Sequence, residues 1–387
     1  MKKILTFPKD FLWGSSTSAY QVEGGIKNCD WSKFKDAGIA CDHYNKYEQD
    51  FDLLKKLNQN AFRFSIEWSR IEPREGEFDE KEIEHYKKVL LSLKEKRISS
   101  FVSLSHWTIP LWFLEKGGWL NPRSSYYFGR YVKKIAENLK ECVDFWITIN
   151  EPLVYSANSY YERRYPPQEK SFLKVIKVIK NLIKSHKKAY EIIHSIDKEA
   201  KVSIAKNNTF FEPYDKKSPL DNVVVAIVKY FWNHYFLKKI KNHLDFIGLN
   251  HYFHVKIKFP FFRKNENKII TDMGWEIYPE GISRVLKELK KYNLPVYITE
   301  NGLADARDKL RINFIKDYLY WVYKAIEEGI DVRGYLYWSL IDNFEWDKGF
   351  EPRFGLVEID YKTLERKPRP SAFYYAKICK ENCLEIN

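Results

Sequence analysis

Cysteine and glycine are scarce in this chain, and their arrangement excludes several classes of protein. Its 387 residues include five cysteines and 16 glycines, and no two cysteines form a CxxC pair. Neither a disulfide framework nor a zinc site is therefore predicted, and reduced thiols fit a cytoplasmic protein. No Cys, His and Asp grouping has metal-ligand spacing, so we expect no metal and no other cofactor.

Long apolar runs are also missing. No run approaches the roughly 18 apolar residues that a membrane-spanning helix needs. The first residues resemble the basic start of a signal peptide, but Pro8–Asp10 interrupts the chain before an apolar region forms. We therefore expect a cytoplasmic location.

Acidic residues are fewer than basic ones, which gives the chain a formal net charge of +13. The lysines are spread along helical segments such as Lys174–Lys188, where a solvated helix face explains them. No DNA- or RNA-binding motif accompanies them, so a nucleic-acid partner is not predicted. The charge indicates solubility and a mild attraction to anionic surfaces.

Short apolar runs alternate regularly with helical patterns along the whole chain. The predicted strands are Phe11–Ser15, Ala61–Ile66, Ile98–Ser105, Phe145–Asn150, Lys201–Asn207, Phe246–Asn250, Pro295–Thr299 and Gly334–Leu340. The predicted helices are Tyr44–Asn58, Asp79–Lys96, Ser124–Cys142, Phe172–Ile196, Leu220–Asn242, Pro279–Tyr292, Leu310–Gly329 and Ser371–Cys383. Eight such units predict an α/β fold, a (β/α)8 TIM barrel that forms a single domain over residues 1–387. A doubly wound open sheet is the alternative, but Gly24-Gly25 is not the glycine-rich loop expected after its first strand.

Two glutamates occupy nearly the same local frame at distant points of the chain. Glu151 follows the run Phe145–Asn150 and precedes Pro152, and Glu300 follows the run Pro295–Thr299. Each carboxylate therefore lies at the C-terminal end of a predicted strand, which is the face of a barrel that carries chemistry. Two carboxylates that converge there are typical of a glycosidase.

Other polar and aromatic side chains stand at the same ends of the predicted strands. They are Gln21, His106, Trp107, Asn150, Asn207, Tyr252, Trp338, Glu345 and Trp346. Amides, an imidazole, carboxylates and indoles at one mouth suit a ligand with many hydroxyl groups, since each hydroxyl both donates and accepts. Taken singly, an amide such as Gln21 or Asn207 would more often be a satisfied loop residue.

Long motifs resemble the β-glucosidase family of retaining glycosidases, glycoside hydrolase family one. The resemblance covers nearly the whole chain and is carried by Phe11–Gly14, Tyr20–Gly24, Asn60–Arg70, Thr148–Pro152, Ile298–Gly302, Trp338–Trp346 and Arg353–Leu356. The compact length resembles archaeal members of the family. The joint occurrence of these motifs in this order is very specific to the family.

The resemblance implies a role for each residue of the site. Glu300 would be the nucleophile, Glu151 the acid/base, and Arg63 the cation that keeps Glu300 ionised. Asn150 would bind the sugar O2, and Tyr252 would donate to the nucleophile. The other ring contacts are assigned to Gln21, His106, Glu345 and Trp346 for the hydroxyls and to Trp338 as the stacking floor, with Asn207 in support.

The chain also departs from the family pattern. Ser105 and Thr108 stand where the family often has a histidine or tyrosine and an aspartate, and His251 replaces a common tyrosine. Lys238–His243 is short where many relatives carry an insertion, and Tyr160–Pro167 lacks the usual glycines. These departures lie on the side of the leaving group and leave acceptor specificity open. The resemblance implies a small β-glycoside as substrate, with an apolar aglycone as in some archaeal members.

The predicted reaction is hydrolysis of β-D-glucosides, and of β-galactosides and related sugars, by double displacement through a glycosyl-enzyme. Retention implies two carboxyls roughly 5–5.5 Å apart. A 6-phospho-β-glycosidase and a non-catalytic sugar-binding barrel are the alternatives. The first is disfavoured because Glu345 would repel a phosphate and because Pro352 and Phe354 stand where its phosphate ligands would be. The sequence leaves the preferred sugar and the oligomeric state open.

A cluster of aromatic residues follows the sixth predicted strand. In Lys256–Lys264, Phe259–Phe262 is flanked by basic residues on both sides. One interpretation is a local core plug under a basic rim. The other is an apolar wall for the aglycone, in contact with an anionic membrane surface.

Overall fold

A computed structural model describes residues 3–386. In chain order its strands are β1 (Lys3–Thr6), β2 (Leu12–Ser16), β3 (Ala61–Ser65), β4 (Ser99–Ser103), β5 (Phe145–Asn150), β6 (Val202–Asn207), β7 (Phe210–Pro213), β8 (Ile247–Asn250), β9 (His254–Lys258), β10 (Phe262–Arg263), β11 (Val296–Asn301), β12 (Val332–Trp338), β13 (Val357–Ile359), β14 (Arg366–Pro368) and β15 (Cys383–Ile386). Eight of them close a parallel barrel in the order β11-β12-β2-β3-β4-β5-β6-β8. The predicted (β/α)8 barrel is confirmed, and the open doubly wound sheet is wrong.

Helices surround the barrel and connect its strands. They are α1 (Ala19–Val22), α2 (Asp30–Phe34), α3 (His43–Lys56), α4 (Trp68–Ile71), α5 (Glu80–Glu95), α6 (Leu111–Glu115), α7 (Ser124–Leu139), α8 (Pro152–Tyr160), α9 (Phe172–Ile196), α10 (Pro219–Lys229), α11 (Tyr235–Ile240), α12 (Glu280–Leu289), α13 (Arg311–Glu327) and α14 (Pro370–Glu381). Short 3-10 turns cover Gly118–Leu120, Lys140–Cys142, Lys290–Tyr292 and Trp346–Lys348. Between residues 3 and 386, no helix is both long and apolar enough to cross a membrane.

The barrel strands are apolar on both faces because helices cover the outside and side chains fill the inside. All six residues of β5 and all six of β11 are buried. Strands that are buried on both faces have nearly continuous runs of β-branched and aromatic residues in their sequence, which is typical of parallel barrels.

Aromatic rings fill the N-terminal half of the barrel. Phe101 and Phe145 stack with ring centroids 4.1 Å apart, and Phe246 and Tyr297 pack edge-on or tilted against them. This aromatic plug closes the end of the barrel opposite to the functional residues, so the barrel is a packed core and not a pore.

The helix predicted over Leu220–Asn242 is divided. The segment Tyr230–His234 forms a π-helical turn between α10 and α11. A three-stranded sheet, β10-β9-β7, packs beside it, and neither feature is predicted from the sequence. At the turn between β9 and β10, Phe259, Phe261 and Phe262 are 48%, 65% and 60% exposed, so the interpretation as a buried plug is wrong.

Candidate active site

The predicted site residues meet at the C-terminal mouth of the barrel, around a single cavity. Those that line it are His106, Asn150, Glu151, Asn207, Tyr252, Glu300, Trp338, Glu345 and Trp346. Gln21 and Arg63 lie behind this wall, fully buried, and reach the cavity through Glu345 and Glu300. Joint placement at one mouth is the arrangement expected for a barrel enzyme.

Glu300 lies at the end of β11 and is surrounded by donors. Nη1 of Arg63 donates to its Oε1, and the Tyr252 hydroxyl donates to its Oε2 at 2.8 Å. Arg63 is held in turn by Ser103, which accepts from its Nε at 3.1 Å. A buried cation and a phenol directed at the two oxygens stabilise an ionised carboxylate.

Glu151 lies one residue beyond β5, where the backbone turns into α8. Its φ of 45° is left-handed, and Pro152 begins the helix directly after it. Its Oε1 accepts from Asn250 at 2.9 Å and from Asn207 at 3.2 Å. Burial, and next the charge of Glu300, raise the pKa of Glu151 to about 7, against the opposite effect of the two amides. A carboxyl in this condition is available in its protonated form near neutral pH.

An amide network joins the two carboxyls. Asn150 Oδ1 accepts from Arg63 Nη2 at 2.8 Å and from Asn250 Nδ2 at 3.1 Å. Arg63 also donates to Glu300, and Asn250 also donates to Glu151. Asn150 therefore links the residue that positions Glu300 to the residue that positions Glu151. Sequence reasoning missed Asn250, although its position as the polar last residue of β8 matches that of Asn207 in β6.

Lys206 is a second residue that sequence reasoning missed. It is 1% exposed, its Nζ donates to the backbone oxygen of Asn207, and its ammonium lies 5.7 Å from the ring centroid of Trp232. Burial lowers the pKa of Lys206 to about 7, and its charge lowers the pKa of Glu151. The signal in the sequence is a lysine, the longest and only charged side chain, within the buried strand β6.

One side of the cavity carries polar side chains that can donate hydrogen bonds to hydroxyl groups and accept them. Gln21 Nε2 donates to Glu345 Oε2 at 3.3 Å and to Asn343 Oδ1 at 2.8 Å. Burial, and next the charge of Glu300, raise the pKa of the partly buried Glu345 to about 8. Asn343, which orients Gln21, lies in the predicted motif Trp338–Trp346, where the sequence assigns it no individual role.

His106 is neutral at this site. Burial, and next the charge of Arg63, hold the pKa of His106 well below its usual range. Its Nε2 accepts from Asn150 Nδ2 at 3.0 Å, which leaves the proton on Nδ1. Within residues 3–386 that buried Nδ1 has no hydrogen-bond partner, so it is a donor that a sugar hydroxyl can use.

Indole rings form the remaining wall. The His106 ring is nearly parallel to Trp338, at 5.9 Å and 21°, and to Trp346, at 6.0 Å and 12°. Tyr20 stacks on Trp346 from behind at 5.9 Å. Planar apolar surfaces of this kind pack against the C–H face of a sugar ring while the edge groups bind its hydroxyls.

The residues that depart from the family pattern are held by other contacts. Thr108 donates to the buried Glu67 at 2.8 Å, and His251 Nδ1 donates to the backbone oxygen of Asn208 at 2.9 Å. Across the described residues 3–386, no group of three or more His, Cys, Asp or Glu side chains could hold a metal ion.

Comparison with known proteins agrees with this geometry. The model of the family described as "Glycosyl hydrolase family 1" matches residues 3–242 and 236–384. Beta-glucosidase A of Thermotoga maritima is 34% identical over 98% of this chain and 99% of its own length. The structure of a beta-glycosidase from Pyrococcus horikoshii superposes with a TM-score of 0.93 at 39% identity, covering 99% of this chain and 96% of that one. A beta-glucosidase from Thermotoga maritima in complex with glucoimidazole has a TM-score of 0.93 at 33% identity, over 98% and 99%. The chain belongs to glycosyl hydrolase family 1 and is a retaining β-glycosidase.

Proposed function

We propose that the chain hydrolyses β-D-glucosides, and β-galactosides and related sugars, with Glu300 as nucleophile and Glu151 as acid/base. The observation that supports this assignment is that the two carboxyls at one cavity have different surroundings. Arg63 and Tyr252 donate to Glu300, whereas burial and the charge of Glu300 raise the pKa of Glu151 to about 7. One carboxyl is suited to attack, and the other to give up a proton.

In the first step Glu300 attacks the anomeric carbon from the α face. A bond forms between that carbon and a carboxylate oxygen as the bond to the leaving oxygen breaks. Glu151 gives its proton to that oxygen, so the aglycone leaves as a neutral alcohol. The product on the enzyme is an α-glycosyl ester of Glu300.

The second step uses the same residues in reverse. Esterification removes the charge of Glu300, which is the second-largest cause of the raised pKa of Glu151. Glu151 therefore becomes more acidic and accepts a proton from water, which attacks the anomeric carbon and releases Glu300. The sugar leaves with its original β configuration.

The residues around the carboxyls are proposed to hold the sugar. Asn150 binds the O2 hydroxyl. His106 donates from Nδ1 to a neighbouring hydroxyl, and Glu345, oriented by Gln21, accepts from the far edge of the ring. The remaining members of the site are Trp346 as a further hydroxyl ligand, Trp338 as the stacking floor, and Asn207 as the amide that orients Glu151.

Known relatives support a small glycoside as the substrate. The similar Thermotoga maritima beta-glucosidase forms a complex with glucoimidazole, a sugar-like molecule. The carboxyl of Glu345 in the cavity wall argues against a phosphorylated sugar, because its ionised form would repel the phosphate and because Pro352 and Phe354 supply no phosphate ligand nearby in the sequence. Both carboxyls needed for catalysis are present, which argues against a non-catalytic barrel.

Chemical rescue tests the assignment of both carboxyls at once. Glu300→Gly should lower kcat on an aryl β-glucoside by roughly four orders of magnitude or more, because no covalent intermediate can form. Azide should restore turnover from the α face and yield an α-glycosyl azide. Glu151→Gly is the matched control, because azide should then attack the intact glycosyl-enzyme and yield a β-glycosyl azide.

The configuration of the azide product decides the roles. A β-azide from Glu300→Gly, or near wild-type activity in that variant, would show that Glu300 is not the nucleophile. Initial rates on aryl β-glucoside, galactoside, fucoside and mannoside then rank the sugars. A 6-phosphoglucoside that outperforms the glucoside would overturn the proposed substrate class.

The cytoplasm is the proposed compartment. All five cysteines are free in the structure, three of them buried and two partly buried. Reduced thiols agree with a reducing compartment.

A further inference from the structure

The outward face of α10 is apolar. Five of its exposed side chains, continuing into the π-helical turn, are Leu220, Val223, Ile227, Tyr230 and Phe231, and they are between 38% and 57% exposed. Their spacing places them along one side of the helix. We call this set the α10 stripe. Surface helices normally present charged residues on this side.

A hairpin tip extends this apolar surface. Phe259, Phe261 and Phe262 stand at the turn between β9 and β10, and we call these three residues the hairpin tip. The backbone N–H of Phe259 donates to Asp221 Oδ1 at 2.9 Å, which fastens the hairpin tip to the first turn of α10. The hairpin tip is therefore held next to the N-terminal end of α10, where the α10 stripe begins at Leu220.

The exposed rings are not required for local packing. The inner faces of α10 and β9, together with β7, have their own small core, formed by Phe211, Val224, Val225 and Ile257. Single exposed apolar residues are ordinary on protein surfaces, but eight on two joined elements mark an interaction site.

Positive charge surrounds this surface. The segments 214–241 and 256–268 contain eleven lysines and arginines against three acidic residues. Of these three, Asp221 is buried at the start of α10, and Glu266 pairs with Lys256 and Lys268. These two segments therefore carry an excess of eight positive charges. Glu212 and Glu288, which lie outside the segments, pair with Lys216, Lys256 and Lys229, so an excess of six remains when these two carboxylates are counted.

We propose that the α10 stripe and the hairpin tip dock this enzyme on an anionic lipid bilayer. The apolar side chains would enter the boundary between headgroups and acyl chains, and the surrounding lysines and arginines would lie at the level of the lipid phosphates. A second copy of the chain fits less well, since a symmetric contact would bring the same excess of positive charge together.

The docked orientation keeps the active site at the bilayer. Phe253, which lines the cavity, directly precedes β9. On the other side Trp232, next to the α10 stripe, donates to Asn207 at 3.4 Å, and Asn207 donates to Glu151. A glycoside at the membrane surface would thus be presented close to the catalytic cavity.

Vesicle sedimentation with the purified full-length protein tests docking. We expect binding to vesicles with about 30 mol% phosphatidylglycerol and at least tenfold weaker binding to pure phosphatidylcholine, since the basic rim needs anionic lipid. Binding should also weaken in about 0.5 M salt without vanishing, because screening acts on the charges and not on the apolar contacts.

Paired variants separate the two contributions. Phe261→Ser with Phe262→Ser, and Ile227→Ser with Phe231→Ser, should each lower binding by about tenfold. Arg263→Glu with Lys264→Glu should remove the preference for anionic lipid. Leu91→Ser with Phe373→Ser and Lys87→Glu with Lys88→Glu are matched controls on α5 and α14, where the side chains are likewise exposed. Hydrolysis of a soluble aryl glucoside should be unchanged in all of them, which reports that they fold.

Three outcomes would overturn the proposal. They are equal sedimentation with neutral and anionic vesicles, equal loss of binding in the control variants, and a stable dimer in light scattering that the α10 stripe variants dissociate. The last would assign the surface to a second copy of the chain.

Discussion

At the scale of single residues, neighbours decide how two chemically identical carboxyls behave. Glu151 and Glu300 have the same side chain and similar flanking strands. Glu300 accepts from a guanidinium and a phenol, whereas Glu151 accepts from two neutral amides. Arg63 compensates the charge of Glu300. Burial and the charge of Glu300 favour the neutral form of Glu151.

The pH dependence of the reaction should report Glu151. In the proposed mechanism its acid form is needed for the first step, and burial with the charge of Glu300 raises its pKa to about 7. We expect kcat/KM on a glycoside with a poor leaving group to fall tenfold per pH unit above about pH 7. A pH–rate profile measures this basic limb.

Lys206 should tune that limb. Its charge lowers the pKa of Glu151, so Lys206→Met should move the basic limb upward by about 0.5 unit. Burial lowers the pKa of Lys206 to about 7, below its unfolded value, so the unfolded chain binds more protons there and stability rises with pH above about 7. Lys206→Met should therefore raise Tm more at about pH 6 than at about pH 9.

A lysine at the other end of β6 is the control for this variant. The exposed Lys201 precedes that strand at the opposite end of the barrel, and Lys201→Met should leave the basic limb in place. A downward shift in Lys206→Met would contradict the proposed coupling of the two groups.

At the scale of elements, the barrel strands were predictable because a strand that is buried on both faces appears in the sequence as a short apolar run. β5 has the predicted bounds, and β3, β6 and β8 differ from prediction by one residue at one end. Asp79 was predicted to begin a helix, and its carboxylate accepts from two backbone N–H groups of α5. Both signals are local in sequence, which is why they can be read without a structure.

Features that depend on distant partners were not predictable. The π-helical turn Tyr230–His234 has the same apolar pattern as the helix around it. The pairing of β7 with β9 joins segments more than forty residues apart. In the site, the strand ends placed Asn150 and Glu300 at one mouth, but the double contacts of Arg63 and Asn250 depend on side-chain directions that no spacing encodes.

The aromatic plug should stabilise the barrel without affecting the site. Phe101→Ala removes a fully buried ring that stacks on Phe145 at 4.1 Å, and we expect a loss of about 3–5 kcal/mol in the free energy of unfolding. KM and kcat should be unchanged at temperatures where the variant is folded. Denaturant titration and steady-state kinetics test this.

Phe373→Ala, at an exposed position of α14, should cost no more than about 0.5 kcal/mol. A large rise in KM in Phe101→Ala would mean that the plug shapes the cavity.

At the scale of the whole molecule, the two ends of the chain meet. β1 and β15 pair antiparallel, from Lys3 with Ile386 to Thr6 with Cys383. Leu5 and Leu384 are paired in this register, and both are buried. We infer that the chain folds as one domain, and one cooperative unfolding transition that includes both ends should follow.

Asn382 is the residue through which the C-terminal end holds the first barrel strand. Its φ of 49° ends α14, its Oδ1 accepts from Trp13 Nε1 at 2.9 Å, and its Nδ2 donates to the backbone oxygens of Phe7 and Pro8. Asn382→Gly keeps the left-handed backbone and removes these bonds, so we expect a loss of about 1–3 kcal/mol, with Trp13 left as a buried donor.

A second asparagine separates the side-chain bonds from the backbone effect. Asn293 has φ 52° at an exposed turn, so Asn293→Gly should change the free energy of unfolding by less than about 0.5 kcal/mol. Asn382→Ala should be more harmful than Asn382→Gly, by about 1 kcal/mol, because a Cβ is strained at positive φ. Denaturant midpoints measure all three. If both glycine variants lose stability equally, the bonds of Asn382 do not join the ends of the chain. If only Asn382→Gly does, and activity falls together with the fold in one transition, the closure of the chain is part of the same cooperative unit as the catalytic barrel.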